Sequence, residues 1–125
     1  MDFYEKAGRP QPTEVRLKKT DKKLRVTFSD GQQFEFPAEL LRVESPSAEV
    51  QGHGASQKQL IAGRRHVGIM SLEPVGNYAV RLQFDDLHDT GLFSWNFLYN
   101  LGMTMDDVWE NYLHNLEQAG LSRDP

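Results

Sequence analysis

Two segments decide the fold: LRVTFSDGQQFEFPAELL at residues 24–41 and VRLQFDDLHDTGLFSWNFLYNL at residues 80–101. Laid over one another, they match Arg25 to Arg81, Phe28 to Phe84, Asp30 to Asp86, Phe36 to Phe93 and Leu41 to Leu98, with one extra residue in the second turn. In both, apolar residues alternate at period two, an acidic turn follows, then a second short run and a stretch of helical spacing. Each segment reads as strand, turn, strand, helix. The overlay also interprets Asp85 to Thr90, which occupy the place of Ser29 to Gln32. Aspartates favour such turns because their carboxylates accept nearby backbone N–H groups, and Gly91 relieves the exit.

Working outward, TEVRLKKT (13–20) alternates in the same way and adds a strand before the first segment, giving a three-stranded meander. Pro37 stands where the start of a helix tolerates proline, and PAELLRV continues it until Ser45-Pro46. VGIMSLEPV and YAVRLQF form a hairpin across Gly76-Asn77, a dipeptide suited to positive φ. Ser94 caps a largely buried helix WNFLYNL, and Gly102 is expected to end it as a left-handed residue. Thr104 and Asp107 have the spacing of a capping pair for a last helix running to about Ala119. Met105, Val108, Trp109, Tyr112, Leu113 and Leu116 mark its core face. The expected fold is α+β: a twisted, mainly antiparallel sheet built from a meander and a hairpin, a short helix after the first unit and two C-terminal helices. Residues 1–12 read as a flexible arm, 13–120 as a single domain and 121–125 as a tail. The segment 44–66 is a long connection with little apolar pattern, of a length that tends to be functional or mobile.

Composition narrows the chemistry. With no cysteine among 125 residues, disulfides, thiolate zinc ribbons, iron–sulfur ligation and thiol catalysis are excluded from this chain. The start MDFYEKAGRPQPTE lacks a basic stretch followed by an apolar run, and no apolar run approaches the roughly 20 residues that span a bilayer. A soluble cytoplasmic protein without membrane contact is expected. The net charge of −4 argues against general binding to nucleic acid. Arg16, Lys18, Lys19, Lys22, Lys23 and Arg25 alternate with Val15, Leu17, Leu24 and Val26, the pattern of a half-buried hairpin with a wet face.

Candidate catalytic and metal-ligating residues are sparse. His53 lies between two glycines in QGHG, but no strand precedes it and no GK[ST] follows, so the motif is not a phosphate loop. His88 sits among aspartates in the second turn without a second histidine at helical spacing. His88 and Asp89 are adjacent, so they do not form the spaced pair of a facial-triad iron site. Glu73, Asp85 and Asp86 are the carboxylates available for acid/base work, with Glu73 expected to face water. A turn is therefore preferred to a metal or acid/base site. A small-molecule or enzyme site would need His53, His88 and Asp86 to converge.

The combination of LRVESPSAEVQGHG, EPVGNYA, FDDLHDTG and SWNFLY resembles the DUF971 family, otherwise the gamma-butyrobetaine hydroxylase-like N-terminal domain, from about Pro12 to Ala119. The resemblance implies a small domain that stands alone in bacteria, precedes the catalytic domain of gamma-butyrobetaine and trimethyllysine dioxygenases, or is fused to Mrp-type ATPases that carry iron–sulfur clusters. In the dioxygenases the domain resembles a support holding zinc through three cysteines and a histidine. Those cysteine positions fall here on Ser45, Ser47 and Val50, and His88 alone keeps the ligand match. Zinc is accordingly not expected, and no other cofactor is implied. The resemblance implies a non-catalytic binding or adaptor domain, a monomer or weak homodimer, whose interaction surface comprises Ser45, Ser47, His53, Asp86, His88 and Trp95. The alternative it implies is an accessory factor in iron–sulfur or metal-protein assembly, with a carrier ATPase as partner.

Overall fold

The computed structural model describes residues 10–46, 59–86 and 91–125. Strands β1 (Pro12–Lys18), β2 (Lys23–Phe28) and β3 (Gln33–Pro37) lead into helix α1 (Ala38–Val43). Strands β4 (Ile69–Val75), β5 (Ala79–Phe84) and β6 (Gly91–Ser94) then lead into α2 (Trp95–Met103), and α3 (Met105–Gln118) follows. The two segments that overlay in sequence thus take equivalent places in two units of like order, each a three-stranded antiparallel meander followed by a helix. The α+β class, the antiparallel pairing and the helix positions agree with the sequence reading. The strands divide into two three-stranded sheets, ordered β1-β2-β3 and β4-β5-β6, because β6 returns to β5 and completes a second meander.

Alternation along the central strands builds the core. Leu24, Val26 and Phe28 of β2 point inward, as do Val80, Leu82 and Phe84 of β5. Phe36, Phe93, Leu41 and Leu98 complete the matched set, and all belong to one buried cluster shared by both units. Full burial of each such side chain contributes on the order of 1.5–3 kcal/mol. The intervening residues face water: Arg25, Lys18 and Lys23 gather around Glu35, at 3.0, 3.1 and 3.8 Å. Hydrogen bonds from Lys18 and then Arg25 hold the Glu35 carboxyl below the usual range. The basic hairpin face expected from the sequence is therefore a face paired with acid. Glu73, facing water as expected, pairs with Arg81 across β4 and β5.

Turns and caps differ from the sequence reading in instructive ways. The Gly76 turn has three residues, since Val75 pairs with Ala79, and Gly76 takes φ +55°. Ser94 caps α2 as expected, its Oγ accepting from Phe97 N at 3.0 Å. Gly102 does not end α2: it lies within the helix, and a Cβ there would stand 2.5 Å from the Phe34 ring. The glycine admits an aromatic ring of the first unit against the backbone of the second. Thr104 makes no capping bond to α3, because its hydroxyl donates to Asn100 O at 2.9 Å instead. On α3, Tyr112 and Leu116 are buried and Met105, Val108 and Trp109 pack partly, but Leu113 is 38 % exposed, outside the expected core face.

Gln11 at one end, and Ser122 and Arg123 at the other, are hydrogen-bonded to the rest of the domain. Ser29 N donates to Gln11 O, Gln11 N donates to Ser29 Oγ, and Pro12 opens β1, so pairing begins before residue 13. At the other end, Gly63 N and Arg65 N donate to the carbonyls of Ser122 and Arg123, which docks the tail. Among the described residues no helix is long and apolar enough to cross a membrane. Because Phe34 lies against the Gly102 backbone, Gly102→Ala is expected to destabilise the fold by about 1–3 kcal/mol, read as a lower urea midpoint at unchanged slope.

Candidate functional site

Asp86, two residues beyond the end of β5, is held by two arginines from elsewhere in the chain. Arg42 of α1 donates from Nε to Oδ2 at 2.8 Å, and Arg64 brings its Nε to 2.9 Å from the same oxygen. The Arg64 N–H does not point along that contact, so it is an ion contact, while its NH1 donates to Ala62 O at 3.1 Å. The Arg42 side chain is only 3 % exposed, so its charge has been taken out of water and needs a carboxylate.

The matched position in the first unit shows why this contact matters. Leu41 overlays Leu98, so Arg42 overlays Tyr99, and Asp30 overlays Asp86. Tyr99 of α2 donates its hydroxyl to Asp30 Oδ2 at 2.6 Å. Each turn aspartate therefore accepts from the equivalent helical position of the other unit. The Tyr99 hydroxyl, followed by the Gln32 backbone N–H, holds the Asp30 carboxyl below its ordinary range. The contacts are reciprocal but chemically unequal: the Asp30 pair is exposed and neutral on one side, whereas the Asp86 pair is ionic and reaches inward.

Beside Asp86 lies a second network. Glu39, one turn before Arg42 on α1, has a side chain only 6 % exposed and accepts both Nε and NH2 of Arg123. The Arg123 guanidinium also stands 5.2 Å from the Trp109 ring centroid. Tyr112, adjacent to Trp109 on the same face of α3, donates to Ile61 O at 2.6 Å. Burial, then the nearby Glu39 charge, pushes the Tyr112 phenol up to about 12. Between α3 and residues 59–61 runs an open groove of about 400 Å³, with Val43, Leu60 and Ile61 facing Asn111, Tyr112 and Asn115.

The residues singled out from sequence separate. Ser47, His53 and His88 lie outside the described residues. Ser45 is fully buried, so as placed it offers no surface to a partner. Trp95 packs partly against the core, and its N–H donates to Tyr78 O at the start of β5, whereas Asp86 lies beyond the other end of that strand. Strand rise puts roughly 20 Å between them. Trp95 and Asp86 therefore stand at opposite ends of β5. Among the described residues no group of three His, Asp or Glu side chains is placed to hold a metal ion.

Glu39, Arg42, Arg64, Trp109 and Arg123 were not marked by the sequence reading as functional. Their signal is present: Glu39 and Arg42 are the charges of AELLRV, in which every residue is buried. Charges three apart in a wholly buried turn require partners from other elements.

Asp86→Asn is expected to destabilise the fold by about 3 kcal/mol in urea, because it leaves buried guanidinium charge without its carboxylate, whereas Glu73→Gln, at an exposed pair, costs under about 1 kcal/mol. For Tyr112 the folded state holds the phenolic proton more tightly than the unfolded chain does. Its contribution is complete below the ordinary phenol value of 10 and is lost as pH rises toward about 12. Equilibrium unfolding across that window should show a steeper alkaline loss for the native protein than for Tyr112→Phe.

Comparison with known proteins agrees with this architecture. Residues 15–99 match the family model described as gamma-butyrobetaine hydroxylase-like, N-terminal. No curated protein matches. Two proteins whose solution structures were determined by NMR are similar to this chain. One is 47 % identical with a TM-score of 0.82, over 94 % of this chain and 93 % of its own. The other is 48 % identical with a TM-score of 0.81, over 100 % and 92 %. A crystal structure of a protein of unknown function in the DUF971 family, from Acidithiobacillus ferrooxidans, is 37 % identical with a TM-score of 0.63, over 74 % of this chain and 92 % of its own. The repeated unit, the fold and the matched span together place this chain in the gamma-butyrobetaine hydroxylase-like N-terminal family, DUF971.

Proposed function

We propose that this chain is a non-catalytic protein-binding module of the cytoplasm, an adaptor whose partner docks where residues 59–65 meet the Asp86 turn. The observation that carries the reading is the state of Asp86. Asp86 is one of the three carboxylates, with Glu73 and Asp85, that the sequence offers to acid/base chemistry, and its Oδ2 is engaged by Arg42 and Arg64. An oxygen so engaged fixes α1 and the 59–65 segment in place; proton transfer would have to break that bracket. Family membership supports the reading through the occurrence of such domains beside unrelated catalytic domains. The loss of zinc ligands at Ser45, Ser47 and Val50 supports a module that works without the metal of its dioxygenase relatives. A carrier ATPase of iron–sulfur assembly is one candidate for the partner.

The test is affinity isolation with the full chain as bait, followed by reconstitution from purified components. Asn111→Arg and Asn115→Arg change the exposed rim of the groove without entering the core and are the test variants. A partner held in stoichiometric amount by the native chain and lost, by about tenfold in affinity, from the rim variants is the expected result. Equal recovery by native and variant chains, or turnover of a substrate by the purified protein, would contradict it.

A further inference from the structure

Ser122-Arg123-Asp124 is seated as a peptide ligand would be. After α3 the chain reverses at Gly120, which takes φ +69°, with Gly120 N donating to Glu117 O and Leu121 N to Leu116 O. The following residues run beside Gly63–Arg65, whose N–H groups at 63 and 65 donate to the carbonyls of Ser122 and Arg123 at 3.0 Å each. The Arg123 side chain enters between Trp109 and Glu39 and meets the carboxylate with two nitrogens, at 2.7 and 2.9 Å. Asp124 then meets the Arg65 guanidinium at the rim.

We propose that Glu39, Trp109 and the backbone of Gly63–Arg65 form a cleft that reads an arginine followed by an acidic residue, filled in cis by the chain's own tail. The protein partner carries an extended segment of the same chemistry and exchanges with that tail. Three observations converge. With Arg123 seated, the Glu39 carboxylate is only 6 % exposed, so in the closed cleft it needs a cation; a planar fork that also stacks on Trp109 suits arginine better than lysine. Backbone pairing through Gly63 and Arg65 is independent of the visiting sequence, the usual division of labour in the recognition of extended peptides. The outermost contact of the tail is peripheral: Asp124 is 66 % and Arg65 38 % exposed. A tethered segment competes at high effective concentration, so the cleft is closed to weak ligands and open to a partner that adds contacts elsewhere. The identity of the visitor rests on the protein-binding reading above; the cleft itself does not.

The probe is the blocked peptide Leu-Ser-Arg-Asp-Pro, titrated into full-length protein while the Trp109 indole and the Gly63 and Arg65 amides are followed by NMR. Two receptors are used. Arg123→Ala removes the internal arginine, and Gly120→Val keeps every cleft residue while disfavouring the reversal that seats the tail. Both should bind the peptide about tenfold more tightly than the native chain does. A peptide with alanine for arginine should not bind, and adding Glu39→Gln to either receptor should abolish binding. No binding to either folded receptor, or binding indifferent to the peptide arginine or to Glu39, would overturn the cleft. If the peptide fails while the native chain still retains its partner in the affinity experiment, the cleft is wrong and the binding module stands.

Discussion

A carboxylate in each turn is held by the helix of the other unit, and the arrangement of the domain follows from that exchange. Asp86 reaches Arg42 of α1, and Asp30 reaches Tyr99 of α2. The two sheets could share apolar surface in many orientations, since hydrophobic burial is non-directional. Directional contacts at matched positions select one. The Asp86 contact is the stronger constraint, because the Arg42 guanidinium has been desolvated and its counter-charge must come from the second unit. With α1 fixed, Glu39 is fixed one turn earlier, and through Glu39 the segment carrying Arg123 is drawn across Trp109. Core packing supplies most of the stabilisation; these contacts supply its register.

The distribution of charge follows the same logic. On the open sheet face Arg25, Lys18 and Lys23 surround Glu35, and Arg81 meets Glu73, pairs that solvent screens and that contribute little to stability. Toward the helices each network has one buried member, Glu39 or Arg42. Glu39 with Arg123 and Asp86 with Arg42 and Arg64 each join segments distant in sequence. Acidic and basic side chains that suggest chemistry when read singly are here the fasteners of a small domain.

The sequence carried the fold further than the site. Period-two alternation located the strands, and the overlay of Phe28 on Phe84 and Leu41 on Leu98 matched the strand, turn, strand and helix order of the two halves, since apolar periodicity is a local signal. It failed where tertiary contact overrode local preference. Gly102 reads as a helix end because glycine commonly ends helices, but here it makes room for Phe34. Thr104 reads as a cap, yet its hydroxyl turns back to Asn100 O. Trp95 and Asp86, close in sequence, are set apart by the length of β5. The arginines around Asp86 escaped because an ion pair over 44 residues, as between Arg42 and Asp86, leaves no local pattern. Two charges in an otherwise apolar turn are the one local sign of them.

The most direct test of the central contact is a double-mutant cycle on Arg42 and Asp86, with each replaced by alanine singly and together and stability read from urea unfolding. Held by one another across the two units, they should show a coupling free energy of about 2 kcal/mol, the double variant losing well under the sum of the single losses. Single losses that add to within about 0.5 kcal/mol would contradict the account, since the turn of one unit would then be indifferent to the helix of the other.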